Sequence, residues 1–132
     1  MKNIILMVDD NLEMRNLFAE LLEKTPLRVV TFASVKEAQI HLLSENNRND
    51  VLAIVSDLMM GPTDGLEFLA YVKKNNDLEH IDFFLLTGAD ISLYKSYIEP
   101  FPLTGIIEKP FSRKDMIATL TGLLANQLQA TT

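Results

Sequence analysis

The chain has 132 residues, 48% of them hydrophobic, and its 18 acidic and 12 basic side chains give a formal net charge of -6. This length suits one domain, and the acidic balance argues against nucleic acid or an anionic membrane as the main partner. Because the sequence contains no cysteine, disulfides, thiol nucleophiles and cysteine zinc sites are excluded.

The first half of the chain alternates short apolar runs with helical periodicity. Continuous apolar runs at residues 4–8 and 51–55 predict buried strands of a parallel sheet, and the β-branched run 28–32 predicts another strand. Between the first two runs, apolar residues recur every three or four positions, which predicts an amphipathic helix. Residues 34–37 form a capping box that predicts the start of a second helix, and the polar stretch 44–50 predicts a loop.

The second half of the chain continues this alternation. Turn-forming residues 60–65 precede a predicted helix, and the apolar runs 83–86 and 105–107 predict a fourth and a fifth strand. A weaker helical segment over residues 91–98 lies between these two strands. A second capping-box pattern at residues 112–115 predicts the start of the last helix.

Five strands that alternate with five helices through short links predict an α/β fold. The expected architecture is a doubly wound, five-stranded parallel sheet with helices on both faces. No repeat or interdomain linker interrupts this pattern. We therefore assign one domain to residues 1–127 and a frayed C-terminal tail to residues 128–132.

Acidic, hydroxyl and basic residues directly follow four of the predicted strands. They are Asp9 and Asp10, Asp57, Thr87 and Lys109. Because ligands of open parallel sheets bind beyond the carboxyl ends of the strands, we expect these side chains to converge at one edge of the sheet. Three neighbouring carboxylates need either protonation or a divalent cation, and the cluster suits Mg²⁺. Lys109 is able to neutralise a phosphoryl group, and Asp57, on the central strand, is the best candidate for a phosphoryl-accepting nucleophile.

These motifs, in this order, resemble the receiver domain of two-component response regulators over essentially the whole chain. The matching residues are Asp9-Asp10, Asp57 followed by Met60 and Asp64-Gly65, Thr87-Gly88-Ala89, and Lys109-Pro110-Phe111. The resemblance implies the flavodoxin-like (βα)5 form of the predicted fold. It also implies a signalling domain of the two-component phosphorelay, similar to single-domain chemotaxis regulators, and not an enzyme with its own substrate.

The resemblance implies a role for each strand-end residue. Asp57 matches the phosphoacceptor, which takes a phosphoryl group from a phosphohistidine on a sensor histidine kinase or a histidine phosphotransfer protein. Thr87 matches the hydroxyl that hydrogen-bonds the phosphoryl group, and Lys109 matches its ion-pair partner. Pro110 follows a peptide bond that is often cis in the family. The implied Mg²⁺ ligands are Asp9, Asp10, Asp57 and the main-chain carbonyl of Met59.

Two features depart from the pattern of the family. Ile106 stands three residues before Lys109, where the family usually has a Tyr or Phe that swings inward during signalling. Pro62 and Thr63 also differ from the usual residues of the loop after Asp57, which predicts a different loop shape. We therefore expect intact phosphorylation chemistry with an altered readout, and the largest change on the face formed by the last two helices and the fifth strand.

Other functions stay open on the sequence alone. A degenerate receiver that serves as a phosphorylation-independent interaction module is the main alternative, and Ile106 favours it. A haloacid-dehalogenase-type phosphatase would need a second aspartate two residues after Asp57, where Met59 stands. A dinucleotide or flavin binder would share the fold, but no G-x-G-x-x-G pattern follows the first strand.

The remaining expectations concern the setting of the protein. The first apolar run ends at Asp9-Asp10 without a cleavage site, and no apolar stretch is long enough for a membrane span, which predicts a cytoplasmic location. The chain is expected to be a stand-alone receiver or one cut from a longer protein, and a monomer or weak homodimer. It should signal through a downstream protein target, with no nucleic acid or membrane as partner.

Overall fold

Five parallel strands form a single sheet in the order β2-β1-β3-β4-β5. The computed structural model describes residues 2–58, 64–88 and 90–130, with side chains to residue 127. The strands are β1 (Ile4–Val8), β2 (Arg28–Phe32), β3 (Val51–Asp57), β4 (Asp82–Thr87) and β5 (Gly105–Glu108). The order reverses between β1 and β3, so the carboxyl ends of these two central strands form the edge where ligands of such folds bind.

Six α-helices lie within the described residues, together with a 3₁₀ helix at Ile91–Tyr94. They are α1 (Leu12–Leu22), α2 (Val35–Leu42), α3 (Glu45–Arg48), α4 (Gly65–Lys74), α5 (Lys95–Ile98) and α6 (Arg113–Ala130). Throughout this described part of the chain, every helix is too short or too polar to cross a membrane.

Two separate apolar clusters cover the two faces of the sheet. Along β1, Leu6 and Val8 belong to one cluster, and Ile5 and Met7 belong to the other. The first cluster contains the buried side chains of α2 and α4, and the second contains those of α1 and α6. Because successive side chains of a strand point to opposite faces, a strand covered on both sides must be apolar throughout. The predicted doubly wound fold is confirmed.

Side-chain caps begin the helices that follow β1, β2 and β3. The side chain of Asn11 accepts a hydrogen bond from the amide of Met14 at 3.0 Å, and Ser34 accepts one from Glu37 at 3.2 Å. The Glu37 carboxylate reaches back to the amide of Ala33, one residue before the cap. Each cap satisfies amides that the first helical turn leaves without a partner, so these short polar sequences determine where each helix begins.

One local prediction was wrong, and another was confirmed. The polar stretch 44–50, predicted as a loop, contains α3, because Arg48 donates to the carbonyl of Leu43 at 2.9 Å and Asn47 donates to that of His41 at 2.9 Å, which caps the end of α2. The predicted helical segment 91–98 is confirmed as a 3₁₀ helix followed by the single turn α5. The last helix, α6, continues to Ala130, and the start of the predicted tail stays a prediction.

Candidate functional site

Three carboxylates converge at the carboxyl edge of the sheet, as the order of the strands requires. One carboxylate oxygen from each of Asp9, Asp10 and Asp57 lies within 4.8 Å of the others. Asp9 is fully buried, Asp57 is partly buried and Asp10 is exposed. The cluster therefore extends from the interior of the sheet to the solvent, so a ligand can reach it from outside.

The ammonium group of Lys109 lies between two of these carboxylates. Its Nζ is 3.6 Å from Oδ2 of Asp9 and 3.7 Å from Oδ2 of Asp57. The amide of Lys109 donates to the carbonyl of Thr87 at 2.8 Å, which ties the end of β5 to the end of β4. The Lys109–Pro110 peptide bond is cis, as the resemblance implied. One cation is thus placed beside a cluster that carries three acidic groups.

The two oxygens of the Asp9 carboxylate differ in their hydrogen bonding. Oδ1 accepts a hydrogen bond from the amide of Asn11 at 2.9 Å. Oδ2 is buried and receives no hydrogen bond from the described residues. A buried carboxylate oxygen without a donor is costly unless a cation is close, and the Lys109 ammonium at 3.6 Å is only one such charge against three carboxylates.

This set of donors fits a hard divalent cation. Mg²⁺ prefers carboxylate, carbonyl and water oxygens, and it commonly keeps several waters where a site is open to solvent. Asp9 supplies the unsatisfied buried oxygen, and Asp10 supplies the exposed carboxylate at the mouth. The fourth predicted ligand, the carbonyl of Met59, lies outside the described residues, as do Met60, Pro62, Thr63 and Ala89. The predicted loop shape after Asp57 therefore stays a prediction.

The backbone at Asp57 is held tightly from two sides. The amide of Leu58 donates to Leu86 on β4, and the amide of Gly65 donates to Leu58, each at 3.0 Å. A Cβ atom placed on Gly65 would overlap the carbonyl oxygen of Asp57. Glycine is therefore required where α4 begins, because only its bare Cα lets the helix approach the strand end so closely.

Thr87 borders a small cavity beside Lys109. The Thr87 side chain is buried at the end of β4, and the cavity has a volume of about 260 Å³. Its lining residues are Thr87, Gly88, Asp90, Ile91, Glu108 and Lys109. A hydrogen bond from the Ser92 hydroxyl, together with one from the Ser92 amide, lowers the pKa of the Asp90 carboxyl. The mouth of the cavity therefore carries a fixed negative charge.

The sequence interpretation missed one residue of this site. Arg15, on α1, donates from Nη1 to the main-chain carbonyl of Asp9 at 2.8 Å. The available signal was weak, because Arg15 looks like any basic residue of an amphipathic helix. Its position one turn after the cap residue Asn11 returns its side chain toward the acidic pair.

The family model for the response regulator receiver domain matches residues 5–121. The chain belongs to this family. The match covers β2 to β5, all of β1 except Ile4, and the first half of α6, so it concerns the whole fold and not one motif. The resemblance inferred from the strand-end residues is confirmed at the level of the family.

Curated relatives of this receiver differ greatly in length. Hybrid signal transduction histidine kinase D of Dictyostelium discoideum is 29% identical over 93% of this chain and 8% of its own length. Regulatory protein VirG of Agrobacterium fabrum is 28% identical over 88% of this chain and 44% of its own length. The chain thus spans less than half the length of these relatives. By contrast, the probable chemotaxis protein CheY of Rhizobium etli is 24% identical, with 88% of each chain covered.

Solved structures similar to this receiver have the same fold. The receiver domain of an HD domain-containing protein from Pseudomonas fluorescens Pf-5 superposes with a TM-score of 0.83 at 22% identity, covering 98% of this chain and 99% of that one. Chemotaxis response regulator CheY4 of Vibrio cholerae has a TM-score of 0.80 at 24% identity, with 93% and 99% covered. At such low identities, these likenesses establish the architecture alone.

Proposed function

We propose that this receiver takes a phosphoryl group on Asp57 and that Mg²⁺ assists at Asp9, Asp10, Asp57 and the Met59 carbonyl. The observation that carries the proposal is the cluster of three carboxylates within 4.8 Å, with Lys109 between two of them. A carboxylate is a competent phosphoryl acceptor when its charge and that of the incoming phosphoryl group are compensated. The Lys109 ammonium supplies one such positive charge, and a divalent cation held by the carboxylates would supply the other.

The proposed transfer uses each residue at a definite atom. A carboxylate oxygen of Asp57 attacks phosphorus, a new O–P bond forms, and the N–P bond of the donor phosphohistidine breaks, so that the imidazole leaves with the electron pair. Lys109 pairs with a phosphoryl oxygen, and the Thr87 hydroxyl donates a hydrogen bond to another. When bound, Mg²⁺ would neutralise charge on the transferred group. Asp9 and Thr87 are buried, so water and ligands reach the site from the exposed side of Asp10.

The partners of the proposed reaction follow from the family. Receiver domains work with histidine kinases and downstream targets in general. For this chain we propose a sensor histidine kinase or histidine phosphotransfer protein as donor, and a protein target downstream. We further propose a cytoplasmic protein that works as a monomer or weak homodimer. Nothing in the comparisons favours the alternative of a phosphorylation-independent interaction module.

The proposed readout differs from the usual one at Ile106. This side chain lies on β5 and is 38% exposed, and a branched aliphatic group has no ring to swing between exposed and buried positions. We propose that phosphorylation changes the face formed by α5, β5 and α6 without an aromatic switch. Amide exchange before and after phosphorylation tests this, and altered protection elsewhere with none on this face would contradict it.

The central experiment is a comparison of intact masses. The protein is incubated with Mg²⁺ and acetyl phosphate, and we expect the mass of one added phosphoryl group. The adduct should be absent from Asp57→Asn and present in Asp50→Asn, which removes an exposed carboxylate from the loop before β3. The proposal is wrong if the wild-type protein gains no phosphoryl group, or if Asp57→Asn gains as much as the wild type.

A further inference from the structure

Arg15 is a half-buried cation that contacts the acidic pair from the side of α1. Its Nη1 donates to the main-chain carbonyl of Asp9 at 2.8 Å. Four nitrogen–oxygen ion pairs are found among the described residues, and none of them includes Arg15. The guanidinium therefore serves a backbone carbonyl and not a carboxylate.

The carbonyl in question belongs to the peptide that joins Asp9 to Asp10. A peptide unit is planar, so the direction of its carbonyl determines where the next nitrogen and Cα lie. On the other side, Asp9 is already held, because its amide donates to Phe32 at 3.1 Å and its Oδ1 accepts from Asn11 at 2.9 Å. The Arg15 contact holds the carbonyl of the Asp9–Asp10 peptide itself.

The position of the Asp10 carboxylate depends on that peptide more than the position of the Asp9 carboxylate does. It is exposed, and within the described residues its carboxylate takes part in no hydrogen bond or ion pair. Its place within 4.8 Å of the other two carboxylates therefore depends on where the backbone holds its Cα. A rotation of the Asp9–Asp10 peptide would move that Cα, and the Asp10 side chain with it, relative to the cluster.

We infer that Arg15 is a positioning residue that orients the Asp10 carboxylate for a divalent cation. This inference rests on the proposed function, because it concerns the same Mg²⁺ site. Two effects of Arg15 oppose each other: its positive charge repels a cation, and its hydrogen bond aligns a ligand. Alignment dominates, because the guanidinium is partly solvated, which screens its charge, whereas the hydrogen bond acts directly on the peptide that carries the ligand.

The first test is the affinity of the protein for Mg²⁺ alone, measured by calorimetry at constant ionic strength. Loss of a residue that orients a metal ligand lowers affinity roughly 10-fold to 100-fold, and we expect Arg15→Met to fall at the lower end of this range. Arg28→Met is the matched control, because Arg28 is exposed at the first residue of β2 and its loss changes the net charge equally. Its affinity should equal that of the wild type.

A double-mutant cycle separates positioning from general damage. If Arg15 acts through Asp10, the loss caused by Arg15→Met should disappear in a protein that already carries Asp10→Asn. A structural defect would instead lower affinity by the same factor in both backgrounds. Arg15→Leu, which also lacks a side-chain donor, replaces Arg15→Met in the cycle if the latter does not fold.

A measurement without metal completes the test. In the metal-free protein, Arg15→Met should speed amide exchange at Asn11, whose hydrogen bond to Asp9 depends on the same loop, and leave the amides of β4 unchanged. If the wild type binds no Mg²⁺, the proposed function falls together with this inference. If the wild type binds Mg²⁺ and Arg15→Met binds it equally well or more tightly, only the role of Arg15 is wrong.

Discussion

The strands β3 and β5 both end at the candidate site, but their surroundings are opposite. β3 has seven residues, six of them buried, and pairs with β1 on one side and β4 on the other. β5 has four residues that alternate between half-buried and exposed, and β4 is its one partner strand within the described residues. The phosphoacceptor candidate Asp57 thus lies on the most constrained strand, and Lys109 follows the least constrained one. The cation beside the acidic cluster therefore follows the strand that has fewer neighbours and more exposed residues.

The helix that follows β3 and the helical segment that precedes β5 differ in the same way. α4, which follows β3, buries Phe68, Leu69 and Val72 completely. The segment before β5 is a 3₁₀ helix and one turn of α-helix, and it leaves Leu93 72% exposed. The hydrogen bonds of a 3₁₀ helix are less favourable than those of an α-helix, so this segment is the less stable one. The structure is therefore more deeply buried beside the phosphoacceptor candidate Asp57 than beside β5.

The largest expected effect is a difference in the free energy of unfolding when the same substitution is made on β3 and on β5. Ile54→Ala on β3 should lower the free energy of unfolding by about 2–5 kcal/mol, because Ile54 is fully buried and the substitution leaves a cavity. Ile106→Ala on β5 should cost about 0.5 kcal/mol or less, because its side chain is already 38% exposed. Urea denaturation measures both. Equal losses would mean that β5 is as constrained as β3.

Two glycine substitutions should change the free energy of unfolding by smaller amounts and in opposite directions. Gly65→Ala should destabilise the protein by about 1–3 kcal/mol, because the new methyl group overlaps the carbonyl of Asp57. Gly122→Ala, within α6, meets no atom within 4 Å apart from its own helix, and should stabilise by about 0.5–1 kcal/mol. Thermal unfolding of both variants provides the measurement. A neutral Gly65→Ala would show that the backbone at Asp57 yields easily, against the comparison drawn above.

The smallest expected effect concerns the pH dependence at Asp90, on the loose side. The hydrogen bonds from Ser92 lower the pKa of the Asp90 carboxyl in the folded protein. They therefore stabilise the folded protein at pH values above the ordinary pKa of an aspartate, and this stabilisation is lost as the pH falls through the lowered pKa. Ser92→Ala removes the hydroxyl and should raise the pKa toward the ordinary range. Carbon NMR of the Asp90 carboxyl across this acidic range gives the value directly in the wild type and in Ser92→Ala. An unchanged Asp90 titration would mean that the hydroxyl contact does not persist in solution.

The candidate site was predictable to the extent that it follows from topology. Once residues 4–8, 51–57 and 82–87 are recognised as parallel strands, their last residues must share an edge, and Asp9, Asp57 and Thr87 are brought together without further information. Gly65 was predictable only as part of a motif. Its need to lack a side chain arises from the carbonyl of Asp57, eight residues earlier, which no local pattern contains.

The sequence by itself determined the order of strands and helices, because hydrophobic periodicity and side-chain caps act over a few residues. It also determined the chemistry of the site, since acidic, hydroxyl and basic groups follow the strands that converge. Only the tertiary structure decided that residues 44–50 contain a helical turn beside α2, that the segment 91–98 divides in two, and that Arg15 holds the Asp9–Asp10 peptide. Each of these depends on particular contacts between polar groups, and such contacts are settled by packing in three dimensions, not by the period of a pattern.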